Sequence, residues 1–537
     1  MTQSHVYVIM GDITHLRCDA WMLPSDSQYD VRDHWTTAVD GLSEAVAKTR
    51  DNRYSTGSLF SLPLKDWDPA SPLPILTAVP LRGFTHAAEL RPRIADFIRV
   101  GAAAAKKRIA AATNVNGARR NPLLAMPSFG TLGGGGHLHK GEILRVILDQ
   151  ARTSALEHGV DIVLVLRDER MFALAQVLRQ DSPDHWTELE NLGLLDKARE
   201  LALLAQSGRL VPFMGAGTSV SAGAPSWKGL IEALAADANL TDAETSSLLA
   251  PGMSALDQAG YLRARYEYSS PLAVDGESTT GEPRASFNTE IARHVELKRY
   301  GLAPALLAGL RTEQAITLNY DALFELASAD IGETRTVIPD RKVNGKKWLL
   351  KLHGSVTNPE SIVLTRDDYL GFNTTRDALS AVVKATLITH HLLFVGFGLK
   401  DDHFHEIIHD VRRALRQDAD STQTIATALT LHANPLNDML WNKKLNLISM
   451  GEWTGDESIA ESARTLEIFL DALLAFSTDS HSYLLSEGYG DALSPAEKVL
   501  RDGLMNFYRD GESNGVHTPA WKVIAQAFQD LGLKEGR

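Results

Sequence analysis

Short apolar runs alternate with longer amphipathic stretches along most of this chain, and they do so in two successive blocks. In the first block the runs are Val6 to Met10, Pro74 to Val79, Leu123 to Met126 and Asp161 to Leu166. Between them, Ile94 to Ala111 and Glu142 to Glu157 place apolar residues three and four apart, which predicts helices. In the second block the runs are Arg209 to Met214, Ala315 to Asn319, Trp348 to His353, His391 to Gly396, Thr424 to Leu429 and Leu445 to Met450. Strands that alternate with helices predict parallel sheets covered on both faces. The fold class is therefore α/β. The stretch Gln180 to Trp186, rich in turn formers, reads as a connector, and a helix is expected over Leu189 to Ser207. Residues 235–310 read as mostly helical, with a polar, mobile stretch over Val274 to Arg284. Ser494, Pro495 and Glu497 form a capping-box pattern, and Thr518 with Pro519 opens a further helix, so the chain ends in a short helical tail.

Composition removes several classes of function. With 537 residues, two to four domains are expected at about 150 residues each. The net charge of −13 argues against a duplex-DNA binder, so no direct nucleic-acid contact is expected. The single cysteine, Cys18, permits neither an internal disulfide nor a cysteine-based zinc ribbon. The most apolar stretch, Leu387 to Leu399, is too short to span a bilayer and contains His390 and His391. The opening MTQSHVYVIMGD lacks the pattern of a signal peptide, and a reducing, cytoplasmic location is the default reading.

The sharpest local pattern is RLVPFMGAGTSVSAGAPSW, residues 209–227. A buried strand ends there at Gly215, and a helix is expected to begin just beyond Gly217. That arrangement holds a pyrophosphate through backbone N–H groups and the helix dipole. Alone it is weak, since a tight turn has the same glycines. Three further strand ends accompany it: Thr317 to Asp321 (TLNYD), Leu350 to Gly354 (LKLHG) and Gly396 to Asp401 (GFGLKD). In open α/β sheets the ligand crevice lies at the carboxyl ends of the strands, so these motifs should converge.

Their order and spacing resemble the sirtuin family over roughly residues 190–475. The resemblance implies a Rossmann-like parallel-sheet domain that binds NAD and breaks its nicotinamide–ribose bond. It places Gly215, Ala216, Gly217 and Ser219 along the phosphates, Asn319 and His353 at the nicotinamide ribose, Asp321 in ordering the loop, and Gly396 and Gly398 near the adenosine half. The family's four-cysteine zinc module is missing, and Ser226 stands where the family's nicotinamide-contacting Asp would be. Both departures argue against protein deacylation. The chain resembles instead the zinc-free sirtuin-like NADases of bacterial antiphage defence, the Thoeris-type effectors, as does the segment Ser361 to Tyr369. The departing nicotinamide leaves positive charge on the ribose. Asn319 can position water there, and His353 can orient the ribose hydroxyls or accept a proton. No metal is expected.

A competing pattern is HEIIH at His405, Glu406 and His409, the spacing of a zinc hydrolase helix. No third ligand of suitable spacing is evident, and an exposed polar helix face explains the pattern equally simply.

In the first block, Val8 to Thr14 (VIMGDIT), then Cys18 to Trp21, and finally Ala125 to Gly136 (AMPSFGTLGGGG) resemble a macro domain over roughly residues 5–178. That resemblance implies an α/β/α domain that binds ADP-ribose or a related nucleotide. Asp12 and Ile13 would meet the adenine, and Gly130, Thr131, Gly133, Gly134, Gly135 and Gly136 the diphosphate. Leu23 to Asp26 replaces the family's N-A-A-N segment, which favours binding over ADP-ribosyl hydrolysis.

The expected plan is a macro-like nucleotide-sensing domain over 1–180, a sirtuin-like NADase domain over 187–478 and a helical appendage over 479–537. As the resemblance implies, the sensor would bind an ADP-ribose-derived signal made by a separate TIR-type protein. The effector, by the same resemblance a homo-oligomer, would then consume NAD in the bacterial cytoplasm. A catalytically inactive ADP-ribose- or NAD-binding sensor is the alternative.

Overall fold

A computed structural model describes residues 4–79, 86–111, 119–131, 136–250, 252–268, 286–341, 345–375, 377–399, 402–415, 424–513 and 518–533. Gly133, Gly134 and Gly135, and the polar stretch Val274 to Arg284, lie outside the described residues. The fold divides into two compact units. One combines residues up to Gln206 with those from Glu467 onward, and the other runs from Ser207 to Leu466. Thr187 to Gln206 and Glu467 to Thr478, expected in the second block, and the tail from Asp479, expected as a separate appendage, cluster instead with the first block.

The first unit holds six strands: β1 Val6–Met10, β2 Ala20–Ser25, β3 Ser61–Pro63, β4 Leu73–Ala78, β5 Leu123–Pro127 and β6 Asp161–Leu166. Their order is β1-β6-β5-β2-β4-β3, parallel throughout except for the antiparallel β3–β4 pair. Every residue of β1, β4 and β6 is buried, as a sheet covered on both faces requires. Strand β2 was not foreseen, because Pro24 argues against an internal strand. The register supplies the reason it is tolerated. Strand β2 pairs with β5 only at Ala20 and Trp21, while all six of its residues pair with β4. Pro24 thus sits where β2 has a single ladder neighbour.

Helices Arg91–Ala111, Lys140–His158 and Glu169–Gln180 pack on this sheet. The last is capped by Asp168, whose carboxylate accepts from Arg170 and Met171 N–H. The C-terminal residues belong to this core. Asp471 is fully buried and accepts from Arg179 at 2.6 Å, with His5 Nε2 at 2.8 Å. Arg119 pairs with Glu467 at 2.6 Å. Gly141 touches Ala492 so closely that a Cβ on it would lie 2.4 Å from the alanine Cβ.

The second unit holds β7 Leu210–Met214, β8 Gln314–Thr317, β9 Thr336–Ile338, β10 Trp348–Lys351, β11 His391–Val395, β12 Ala426–His432 and β13 Asn446–Gly451. All pairs are parallel, in the order β13-β12-β11-β7-β8-β10-β9. The chain starts at β7, adds β8 beside it, passes to the edge strand β9, fills the gap with β10, and returns to β11 on the other side of β7. The loop after β7 consequently lies at the topological switch point, where open α/β sheets place their crevice. A helical layer from Trp227–Asp237, Ala255–Tyr268 and Phe287–Val295 forms its own apolar cluster, against which Tyr320 packs. No described helix is long and apolar enough to cross a membrane.

Candidate functional site

Register alone brings the four motifs of the second unit side by side. Met214 is opposite Val395 on β11 and opposite Thr317 on β8, and Thr317 is opposite Lys351 on β10. Two residues beyond each pairing lie Asn319 and His353, on neighbouring strand ends. The residues that follow Met214 and Val395 are Gly215 and Gly396.

Those two turns touch backbone to backbone. Gly215 N–H donates to Val395 O and Gly217 N–H to Gly396 O, both at 2.9 Å. Gly396 has φ +64°, and a Cβ there would lie 2.4 Å from Thr218 N. A Cβ on Gly217 would lie 2.7 Å from Gly396 Cα. The glycines are needed for this approach. In this conformation the N–H groups of Gly215 and Gly217 are occupied by protein carbonyls. Ala216 and Gly217 are exposed on the outer side of the turn, which continues as a 3-10 helix over Ala216–Ala222.

Asn319 is pinned to the same turn. Its Nδ2 lies 3.1 Å from Gly215 O, 3.1 Å from Thr218 Oγ1 and 3.0 Å from Ser219 Oγ. Both hydroxyls donate elsewhere, Thr218 to Gly215 O and Ser219 to Asp321 Oδ2, each at 2.8 Å. The amide nitrogen is therefore the atom that faces them. Asn319 Oδ1 is left buried with no hydrogen-bond partner among the described residues. An orphaned acceptor of this kind is rare. Asp321 does order its loop, receiving Ser219 Oγ on one oxygen and Leu323 N–H on the other at 3.1 Å.

Beneath this loop lies Lys351, 1 % exposed, which the sequence reading did not single out. Its ammonium donates to Tyr320 O at 3.2 Å, to Asp321 O and to Glu325 Oε1 at 2.7 Å. Burial pushes the Glu325 carboxyl above its ordinary range, and Lys351 opposes that rise. Its one trace in the sequence is a lysine within the apolar run Trp348 to His353, which does not reveal that it is buried. His353 is buried, with its ring edge against Tyr369 at a centroid distance of 5.5 Å. The glycine after it, Gly354, has φ +93° and lies so close to Ser361 O that no side chain fits.

Other expected residues lie apart from this cluster or serve local structure. Ser226 is exposed and caps helix Trp227–Asp237, accepting from Gly229 N–H at 3.2 Å. Gly398 is exposed, and a Cβ there would meet nothing within 4 Å. His405, Glu406 and His409 are exposed on helix Asp402–Ala414, with His405 Nε2 3.0 Å from Leu399 O. Among the described residues they join no cluster of three metal-ligating groups. The polar helix face is the reading this geometry favours.

Residues 313–447 match the model of the SIR2-like domain. The matched stretch contains Asn319, Asp321, His353 and Gly396 but not the glycine turn at 215. The mixed α/β architecture with its parallel sheet is consistent with a Rossmann-like domain of that kind. The chain is also similar to NAD(+) hydrolase ThsA of Bacillus cereus (strain MSX-D12), at 28% identity over 38% of this chain and 40% of that protein. It is 26% identical to NAD(+) hydrolase ThsA of Enterococcus faecium over 40% of this chain and 42% of the relative. Defense-associated sirtuin 2 of Bacillus subtilis is 26% identical over 40% of this chain and 20% of its own length. The chain thus spans well under half the length of these relatives.

The first unit carries a second site. A cavity of about 540 Å³ opens at the carboxyl ends of its strands, between Gly11 after β1, Ser25 and Asp26 at β2, Val79 after β4, Ser128 to Thr131 after β5, and Arg167 after β6. Such a volume suits a small-molecule ligand. Ile13, Gly130 and Thr131 line it. Asp12 lies beside it with both oxygens engaged, one by Thr14 N–H and Oγ1 and the other by Arg167. Gly136 is buried at the start of a 3-10 turn. Arg32, Trp35, Lys140 and Arg167 also line the cavity and were not singled out from the sequence. Burial, then the charges of Arg167 and Arg32, hold His34 below its ordinary pKa. Scattered arginines carry no sequence signal for such a wall, because the fold alone gathers them.

Proposed function

We propose that this protein hydrolyses NAD+ to nicotinamide and ADP-ribose as an antiphage defence effector. The observation that carries the reading is the meeting of Asn319, His353, the glycine turn at 215 and Gly396 on adjacent ends of one parallel sheet, with Asn319 Oδ1 buried and unpartnered. The SIR2-like match and the relatives named NAD(+) hydrolase support it. In this reading NAD is the substrate. Ala216, exposed on the turn, faces its phosphates, while Gly215, Gly217 and Ser219 hold the turn in place. Gly396 and Gly398 face the adenosine half, and Ser226 occupies the position next to nicotinamide.

The chemistry needs no charge beyond the substrate's own. The glycosidic bond breaks, its electron pair leaves with neutral nicotinamide, and positive charge develops on the ribose. Asn319 Oδ1 accepts a hydrogen bond from the attacking water. The water oxygen bonds to the anomeric carbon, and His353 takes the released proton. Nothing in this sequence of steps requires a metal.

The first unit is read as a macro-like domain whose 540 Å³ cavity takes an ADP-ribose-derived signal, made by a separate TIR-type protein. Its cations, Arg32, Lys140 and Arg167, support an anionic ligand, and Trp35 supports a planar base. Signal binding in a homo-oligomer would favour the active state, NAD would be depleted and the infected cell would arrest, an abortive infection carried out in the bacterial cytoplasm. The coupling requires that the signal bind the active state more tightly than the inactive one.

The test is nicotinamide release by purified protein, with and without ADP-ribose-type nucleotides. Release by the wild type, lost in His353→Ala and Asn319→Ala, is expected. NAD binding without release under any of these nucleotides would replace the enzyme with a catalytically inactive sensor.

A further inference from the structure

A second, smaller cavity of about 110 Å³ lies in the first unit at the opposite end of its sheet, beside Val6, the first residue of β1. Three guanidinium groups line it, those of Arg145, Arg152 and Arg179. Arg145 and Arg152 lie two turns apart on helix Lys140–His158. Neither has an acidic partner among the described residues: Arg145 donates to Ala492 O at 2.7 Å, and Arg152 to Ser182 Oγ at 3.3 Å. Arg179 is 2 % exposed and bound to Asp471, yet its Nε is buried with no partner. The one acid in the lining, Asp149, is drawn away to Arg91 at 3.4 Å.

Two cations without an acidic partner beside one cavity, and a third with its Nε buried and unpartnered, are costly, the more notable in a chain of net charge −13. The neighbouring His185 records the same field. Burial, and then the charges of His5, Arg179 and Arg152, hold it well below its ordinary pKa. Its ring is therefore neutral at pH 7 and adds a hydrogen-bonding group without adding repulsion.

We infer that this cavity is a binding site for a phosphate group, held by Arg152 and Arg145 at its mouth and by Arg179 at its floor. Two guanidinium forks, from Arg145 and Arg152, and the unpartnered Nε–H of Arg179 suit the several acceptor oxygens of a tetrahedral oxyanion better than a planar carboxylate. The volume admits a phosphate and excludes a nucleoside. A phosphomonoester could therefore enter only phosphate-first, with its remainder outside beside the exposed Arg145. The site is separate from the 540 Å³ cavity and does not depend on the NADase reading.

The test is calorimetric titration of the full chain with inorganic phosphate, at constant ionic strength in chloride, and in parallel with AMP. Saturable binding of one phosphate that weakens about tenfold or more in Arg152→Gln is expected, equivalent to about 1.4 kcal/mol. The same affinity should persist in Lys140→Gln, which alters only the larger cavity. Unchanged melting temperatures in both variants would show that each is folded. Equal affinities for phosphate and AMP would identify the free ion as ligand, and tighter AMP binding that falls in Arg152→Gln but persists in Lys140→Gln a phosphomonoester. No saturable binding of either, or binding lost in Lys140→Gln and kept in Arg152→Gln, would overturn the inference.

Discussion

The two units place their sites at the same topological position and build them from different materials. In the first, strand ends stand apart around an open cavity, and its walls are side chains on loops and helix starts, such as Arg32, Trp35 and Arg167. In the second, strand ends are laced together by backbone, Gly215 and Gly217 against Val395 and Gly396, with Asn319 and Lys351 tied beneath. A wall of exposed side chains can change its ligand without disturbing the fold. A laced site cannot, because the groups that do chemistry are the groups that hold the loops.

That contrast is open to direct attack. Lys351→Met should have the largest effect, since it strands Glu325 and two loop carbonyls in the interior. A loss of about 3–5 kcal/mol in chemical denaturation is expected, together with loss of nicotinamide release. Gly396→Ala should cost about 2–4 kcal/mol, because its Cβ would collide with Thr218 N. A stable Gly396→Ala protein would show that the lacing is dispensable. Arg167→Gln in the other unit should leave stability within about 0.5 kcal/mol while weakening an anionic nucleotide about tenfold in calorimetry. Equal loss of stability in Arg167→Gln and Gly396→Ala would dissolve the comparison.

The smallest effect concerns pH. The folded pKa of His185 is depressed, so its contribution to stability is present above the unfolded value of 6.5 and is lost as pH falls below it. The unfolded chain takes up the proton that the fold refuses, at a cost of at most about 1.4 kcal/mol per pH unit. His185→Gln should flatten the dependence of the melting temperature between pH 7 and the onset of acid unfolding. An unchanged slope would mean that other groups carry it.

Much of the second unit was legible in the sequence because its strands are uninterrupted apolar runs and its site motifs sit at their ends. Asn319 and His353 were singled out by the family resemblance that those motifs carry. Lys351 did not, since a lone lysine in a strand looks the same whether it points to solvent or lies under a loop. In the first unit, β2 was hidden by Pro24, whose cost vanishes only once the ladder to β5 is known to stop at Trp21. The unit boundary was hidden as well. Gln180 to Trp186 has the composition of a linker, yet Trp186 is 1 % exposed, donates to Arg179 O at 3.0 Å and meets Phe476. Composition reports turn formers but not which indole the turn buries.

The burial of Asp471 in the first unit has a consequence for how the chain is made. Residues up to Gln206 leave the ribosome first, yet Arg179 and His5 then lack their carboxylate until Glu467 and its successors emerge. At about 5–20 residues per second that interval is on the order of tens of seconds. During it the first sheet waits with a buried cation unpaired, while the second unit is completed. A nascent chain arrested before residue 467 should therefore carry a protease-resistant second unit and a protease-sensitive first one.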